Sequence, residues 1–234
     1  MFQKITSEGS EYAKYKPKIL SQPQNENDDP WIVEFESFLS NEECDKLIEY
    51  GELLTFKRSG NVGKANADGS YESSIDDSRT SENTWCENDC YDDPMVKDII
   101  NRIADVTGIP EPNQEYLQLL KYEPNQYYKM HHDFIPFHVD RQPGPRVLTL
   151  LLYLNELEGG GTQFANCDGC DIRTIASPKK GKALLWHNVL LDDPNKMDEH
   201  THHEALPVIE GIKYAANAWI HLRDFKSAMK TECI

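Results

Sequence analysis

YLQLLKYEPNQYYKMHHDF, residues 116–134, is the stretch at which the chain changes its period. Two short aromatic-rich runs flank Glu123-Pro-Asn-Gln126, which reads as strand, turn, strand. More short apolar runs follow: RVLTLLLYL at 146–154, GTQF at 161–164, ALLWH at 183–187 and YAANAWIHL at 214–222. Gly, Pro, Asn and Asp punctuate the gaps. Upstream the period is helical. Ser40-Asn-Glu-Glu43 is a capping-box pattern ahead of Cys44, Leu47, Ile48 and Leu53 or Leu54. Pro94 suits an early helical position, Val96, Ile99, Ile100, Ile103 and Val106 share one face, and Gly108-Ile-Pro ends that helix. Trp31–Phe35 alternates like a strand. Helices first and many short strands after predict an α+β domain built on a β-sandwich or barrel.

The flanks set the expected boundaries. Residues 1–29 are polar and read as a poorly ordered extension. One domain spans 30–226, with helical support over about 40–108 and a strand core over about 115–225; residues 227–234 read as a tail. Residues 57–92, rich in Gly, Ser, Asn and Asp, read as a long loop of the kind that often carries function.

The 234 residues carry 24 Lys and Arg against 40 Asp and Glu, a net charge of −16. That argues against nucleic acid as a partner, since binding a phosphate backbone needs a basic stripe. Mean hydropathy is −0.66 and no apolar run is long enough to span a membrane. The opening MFQKITSEGSEYAKYKPK has no apolar h-region, so no signal peptide is visible. Six cysteines include two close pairs, Cys86/Cys90 and Cys167/Cys170, set among Asn, Asp and Gly. The expectation is disulfides, within or between the pairs, with a four-cysteine zinc site and plain free thiols as the alternatives. Disulfides imply the secretory pathway, in the lumen of the endoplasmic reticulum or Golgi; free thiols imply the cytoplasm. Cys44 falls in a helical pattern and reads as a small buried residue.

The strongest chemical signal is His131-His132-Asp133 with a histidine cluster at 200–203. Residues two apart on a strand share a face, so His131 and Asp133 can converge on one metal while His132 points away. Two histidines and a carboxylate leave open positions for a chelating co-substrate and O₂, the arrangement of non-haem Fe(II) oxygenases. His200, His202 and His203 are candidates for the third ligand. Lys213 follows His203 by ten residues, a strand-turn-strand length that can set a cation beside the metal. A chelating dicarboxylate needs such a cation at its far end, which favours His203. Each piece alone is weak. An HxD is mostly a surface accident, and a lone lysine is mostly solvated.

Taken together, several segments carry a resemblance: Arg79-Thr-Ser81, Tyr122 to Asp133, Arg146 to Leu154, Glu158-Gly-Gly-Gly-Thr162, and His203 to His221. Over roughly residues 30–225 the chain resembles the catalytic domain of 2-oxoglutarate- and Fe(II)-dependent prolyl 4-hydroxylases, especially the soluble plant and algal type. The resemblance implies a double-stranded β-helix, a jelly roll flanked by N-terminal helices. It implies His131, Asp133 and His203 as iron ligands and Lys213 as the partner of the distal 2-oxoglutarate carboxylate. Tyr122 and Thr162 would hydrogen-bond the same co-substrate. Arg79, Tyr128, Arg146 and Trp219 match peptide-groove positions, with Glu115 a possible addition. The implied cofactors are Fe(II), 2-oxoglutarate, O₂ and ascorbate. The implied reaction converts peptidyl proline to 4-hydroxyproline with release of succinate and CO₂, and the implied partner is a proline-containing peptide in an extended polyproline II form. His132 stands where an aromatic residue is usual, and neither CENDC nor CDGC belongs to the catalytic pattern. Three readings compete: the same chemistry on a folded cytosolic protein, a non-catalytic metal-binding jelly-roll module, and a zinc hydrolase. Lys213 and Thr162 argue against the second, and the third leaves Lys213 without a role.

Overall fold

The computed structural model describes residues 1–23, 29–65, 71–164 and 174–231. In chain order the first half gives α1 (Phe2–Thr6), β1 (Pro17–Ser21), β2 (Ile32–Phe35), α2 (Asn41–Leu54), β3 (Lys57–Arg58), β4 (Asn61–Ala65), β5 (Tyr71–Ser74), β6 (Glu82–Trp85), α3 (Asp89–Asp92) and α4 (Pro94–Thr107). The second half gives β7 (Gln118–Tyr122), β8 (Tyr128–His131), β9 (Arg146–Tyr153), β10 (Glu158–Gly159), β11 (Thr162–Phe164), β12 (Ile175–Ala176), β13 (Ala183–His187), β14 (His203–Ala205), β15 (Val208–Glu210), β16 (Lys213–His221) and α5 (Phe225–Lys230).

The strands form an eight-stranded sheet in the order β1-β2-β13-β9-β16-β7-β6-β3, a four-stranded sheet in the order β12-β11-β14-β8, and two strand pairs, β10-β15 and β4-β5. Alternation along β16 sorts the two cores. Ala216, Ala218 and Ile220 face the helices and join Leu47, Ile99, Ile103 and Leu150. Ala215 faces the smaller sheet with Leu120, Tyr122, Tyr153 and Trp186. The candidate residues Lys213 and Tyr122 lie on that second face, paired across β16 and β7, as are Asn217 and Gln118.

The helices are docked by the residues that start them. Ser40 caps α2 by accepting from Glu43 N, and the Glu43 carboxylate returns to Ser40 N. The same carboxylate takes Arg102 of α4 at 2.5 and 3.0 Å, and Arg102 also donates to Phe38 O. One glutamate therefore closes a helix start and ties α2 to α4. Asp93 caps α4, Pro94 occupies its first turn, and Gly108 ends it at φ 68°.

Three expectations change. The N-terminal segment is packed, not loose: Phe2, Ile5 and Tyr12 are buried, and β1 pairs with β2 at the edge of the large sheet. Phe2 stacks on Trp31 at 5.4 Å, and Tyr12 donates to Asp105 O. The polar average of residues 1–29 hides these few spaced apolar anchors. Residues 57–92 are not one long loop. β6 pairs with β7 from Glu82↔Lys121 to Trp85↔Gln118, so tertiary pairing overrides weak local propensity. Helix α5 runs across the expected boundary into residues 227–230, with Phe225 and Ala228 buried and the Phe225 ring stacked on His221 at 4.8 Å.

Candidate active site

β8 and β14 are antiparallel neighbours, and their register sets His131 opposite His203. Asp133 lies just past the end of β8. His203 Nε2 is 3.7 Å from Asp133 Oδ2, and His131 Nε2 is 4.0 Å from Oδ1. Ligand atoms of all three residues lie within 4.8 Å of one another, a group able to hold one metal ion. Each ring is aimed by its other nitrogen. His131 Nδ1 donates to Lys129 O at 2.8 Å, and His203 Nδ1 donates to Thr201 O at 2.9 Å. Both imidazoles thus turn an Nε2 lone pair inward, the tautomer a metal requires. Thr149 donates to Asp133 Oδ2 at 2.7 Å and is itself held by Asn188. Burial alone would raise the Asp133 carboxyl, but His203 and His131 outweigh it and keep it ionised far below its ordinary range. Burial, then the neighbouring His203, lowers His131 well below its ordinary value, so it stands neutral. Two imidazoles with Nε2 turned inward and a carboxylate fit a ferrous ion with open positions.

His132 points away, as strand alternation requires. Its Nε2 donates to Thr201 Oγ1 at 2.8 Å and meets Asp198 O at 2.9 Å, while Nδ1 accepts from Phe134 N. It braces the strand of His131 and Asp133 to the segment that carries His203. His200 bonds to Asp198 and His202 to Glu199 O, and neither joins the cluster.

A small pocket adjoins the cluster, with Lys213, Tyr122 and Thr162 in its wall. Lys213 is 2% exposed. Its Nζ sits 4.9 Å from the Tyr122 ring centre and 5.5 Å from that of Tyr153. Among the described residues no carboxylate lies within ion-pair distance of it. Burial alone pulls its pKa down to about 7. A buried ammonium with aromatic walls and no counter-charge is a site made for an anionic group from outside the chain. Tyr153 donates to Thr162 Oγ1 at 2.7 Å and so orients that hydroxyl.

A groove of about 450 Å³ opens on the other side of the cluster, and Arg79, Tyr128, Arg146 and Trp219 line it. Arg79, Tyr128, His131 and Asn217 line both spaces, so the two adjoin across these residues. Tyr128 stacks on His131 at 3.6 Å, with Arg79 over its other face at 4.7 Å. Arg146 lies 3.6 Å over Trp219. Glu115 does not line the groove. It is buried beneath it, takes Arg146 at 2.5 and 3.0 Å, and meets His221 Nε2 at 2.8 Å. Burial would raise Glu115, yet Arg146 and His221 hold it at about 2. Its task is to fix Arg146, not to touch what occupies the groove.

Cys86 and Cys90 form a disulfide, whereas Cys167 and Cys170 fall outside the described residues. Cys44 is buried, and burial pushes its thiol up to about 11. Sequence reasoning missed Asn217, His221, Tyr153, Trp186 and Trp85. Asn217 and His221 were within reach, since they share the Lys213 and Trp219 face by alternation along β16. Trp186, edge-on to His203 at 4.8 Å, sits in an unbroken apolar run and carries no such signal.

Residues 117–221 match the family model described as the 2OG-Fe(II) oxygenase superfamily. The chain is 34% identical over 217 residues to prolyl 4-hydroxylase 2 of Arabidopsis thaliana, covering 84% of this chain and 69% of the relative. It is 30% identical over 214 residues to prolyl 4-hydroxylase subunit alpha-2 of Gallus gallus, covering 88% of this chain and 38% of that subunit. Among solved structures it resembles the 2OG complex of the viral collagen prolyl hydroxylase of Paramecium Bursaria Chlorella virus-1, with a TM-score of 0.60, 26% identity, and coverage of 81% of this chain and 95% of that one. A Trichoplax adhaerens prolyl hydroxylase in complex with a hypoxia inducible factor peptide shares the fold, with a TM-score of 0.54, 16% identity and 86% coverage of each chain.

Proposed function

Because the chain belongs to the prolyl 4-hydroxylases of the 2OG-Fe(II) oxygenase superfamily, we propose that His131, Asp133 and His203 hold its iron and that Lys213, Thr162 and Tyr122 hold 2-oxoglutarate. The chain is a 2-oxoglutarate- and Fe(II)-dependent prolyl hydroxylase with a jelly-roll fold. Iron held by such a triad, with 2-oxoglutarate and O₂, supplies the oxidising equivalents that turn a proline C–H into C–OH and release succinate and CO₂. Ascorbate is the proposed accompanying reductant.

The residues then divide the work. His131 and His203 present their Nε2 atoms, aimed by the Nδ1 bonds to Lys129 O and Thr201 O, and Asp133, kept anionic, supplies the negative charge. Lys213 gives its ammonium to the distal carboxylate, and Tyr153 orients the Thr162 hydroxyl toward the same end. Arg146, clamped by Glu115 through Nε and Nη2, keeps Nη1 for the groove.

The chemistry of the groove lining carries the substrate assignment. Proline has no N–H, so a proline-rich segment offers carbonyl acceptors and apolar rings. The groove is its complement. Arg58, Arg79, Asn83, Gln118 and Arg146 are donors, and the only carboxylate among the described lining residues is Asp133. Tyr128, Trp85 and Trp219 supply ring faces. The proposed substrate is therefore an extended polyproline II peptide. A non-catalytic metal-binding module would leave the buried Lys213 without a use. The Cys86–Cys90 bridge supports an oxidising, secretory compartment.

The test is co-substrate turnover with matched peptides. A proline-rich peptide should stimulate 2-oxoglutarate decarboxylation, and the same peptide with alanine for proline should not. Equal stimulation by both would refute the substrate assignment.

A further inference from the structure

The CENDC motif takes no part in the chemistry above, yet it directly follows a groove residue. Trp85 is the last residue of β6, and its ring lies 6.0 Å from that of Trp219, so the two indoles form one wall of the groove. That end of β6 is thinly held. β3 covers only Glu82 and Asn83 on the outer side, which leaves Trp85 paired on one side alone, to Gln118 of β7. The chain then reverses at once into α3. Asn88 makes the reversal at φ 50°, a backbone conformation that non-glycine residues rarely adopt. The Cys86–Cys90 disulfide closes this loop, Cys86 N donates to Leu117 O at 2.9 Å, and Tyr91 packs edge-on against Tyr116 at 5.0 Å.

We propose that the Cys86–Cys90 disulfide is a positioning clamp for the peptide groove: it fixes Trp85, and through Trp85 the Trp85–Trp219 wall. This rests on the reading of the groove as a proline-peptide site. The clamp is static. Cys86 is 1% and Cys90 0% exposed, so a thiolate from solvent cannot reach either sulfur in the folded protein. Neither cysteine touches the metal cluster or the Lys213 pocket, so the clamp acts on peptide affinity and leaves the other two ligands alone.

A double-mutant cycle tests this, with peptide Kd measured by calorimetry and turnover measured separately. Trp85→Ala should weaken peptide binding on the order of tenfold, the scale of a lost aromatic pair. Cys86→Ala with Cys90→Ala should weaken it about threefold or more, at unchanged 2-oxoglutarate KM and unchanged peptide-independent decarboxylation. Cys86→Val with Cys90→Ala keeps more of the buried volume and serves if the alanine pair is poorly folded. The triple variant should bind peptide no worse than Trp85→Ala alone, although it melts lower than either parent. A purely structural disulfide would lower Tm without this non-additivity. Additive losses in the triple variant, or an unchanged peptide Kd in a folded bridge-free variant, would overturn the clamp. Tight peptide binding without proline turnover would count against the hydroxylase reading and leave the clamp standing.

Discussion

Replacing Lys213 by methionine should make the empty protein more stable and disable it. Burial alone takes the Lys213 pKa from 10.5 to about 7. At about 1.4 kcal/mol per pH unit, that fall is roughly 5 kcal/mol of lost hydration. Methionine fills similar space with no charge to desolvate. Some packing is lost, so a net gain of about 2–4 kcal/mol is expected at pH 7, or on the order of 5–10 °C in Tm. The pH dependence has a definite sign. The unfolded chain keeps the Lys213 proton up to about pH 10.5, but the folded empty pocket keeps it only to about 7. Between those values the unfolded state binds more protons, so the wild type gains stability as pH rises. The methionine advantage is therefore full below pH 7 and fades toward pH 10. Binding runs the other way. Losing one partner of a buried charged pair costs about 3–5 kcal/mol, so 2-oxoglutarate affinity should fall on the order of 10²- to 10³-fold while metal affinity holds. Thermal melts of the metal-free protein across pH, with calorimetry for 2-oxoglutarate under anaerobic conditions, give both readouts. A variant that melts lower than wild type at pH 7 and still binds 2-oxoglutarate would refute this account of Lys213.

His131→Ala, Asp133→Ala and His203→Ala should each lose stoichiometric metal by elemental analysis, whereas His200→Ala keeps it. Full metal retention in His203→Ala would reassign the third ligand. His132→Phe keeps the ring but removes the brace to Thr201, and should weaken metal binding roughly tenfold, with His132→Gln recovering part through its donor; equal affinity in both would remove the brace from the account. Glu115→Gln frees Arg146 and should raise peptide KM about tenfold or more with little change in 2-oxoglutarate KM, as steady-state kinetics with each substrate varied would show. Thiol counting on unfolded, unreduced protein should find Cys86 and Cys90 blocked, and also Cys167 and Cys170 if the second close pair is oxidised. Six free thiols would contradict the bridge and its compartment.

Legibility followed periodicity and chemistry, and failed where long-range pairing decides. The capping box at Ser40 and the stripe from Val96 to Val106 are local signals, and both helices sit where those signals put them. The short strands from β7 onward announce themselves by composition. β6 does not, because Glu82-Asn-Thr-Trp85 becomes a strand only through β7 beside it. The N-terminal segment hides its packing for a related reason: three anchors, Phe2, Ile5 and Tyr12, hold a stretch whose average is polar. At the site, His131, Asp133, His203 and Lys213 were nameable because their residue types are unusual in strands and their spacings constrain one another. Glu115 sits one layer deeper than the groove position its resemblance implies. Its carboxylate is consumed by Arg146 and His221, a pairing across β9 and β16 that no sequence window contains.

A cluster and groove that together oxidise proline leave a mark on the peptide, which mass spectrometry reads after a proline-rich peptide is incubated with the protein, Fe(II), 2-oxoglutarate and ascorbate in air. The prediction is a mass gain of one oxygen atom per modified proline, localised by fragmentation to the ring and identified as the 4-hydroxy isomer, absent with Asp133→Ala. An unmodified peptide alongside rapid 2-oxoglutarate consumption, or oxygen placed on another residue, would contradict it.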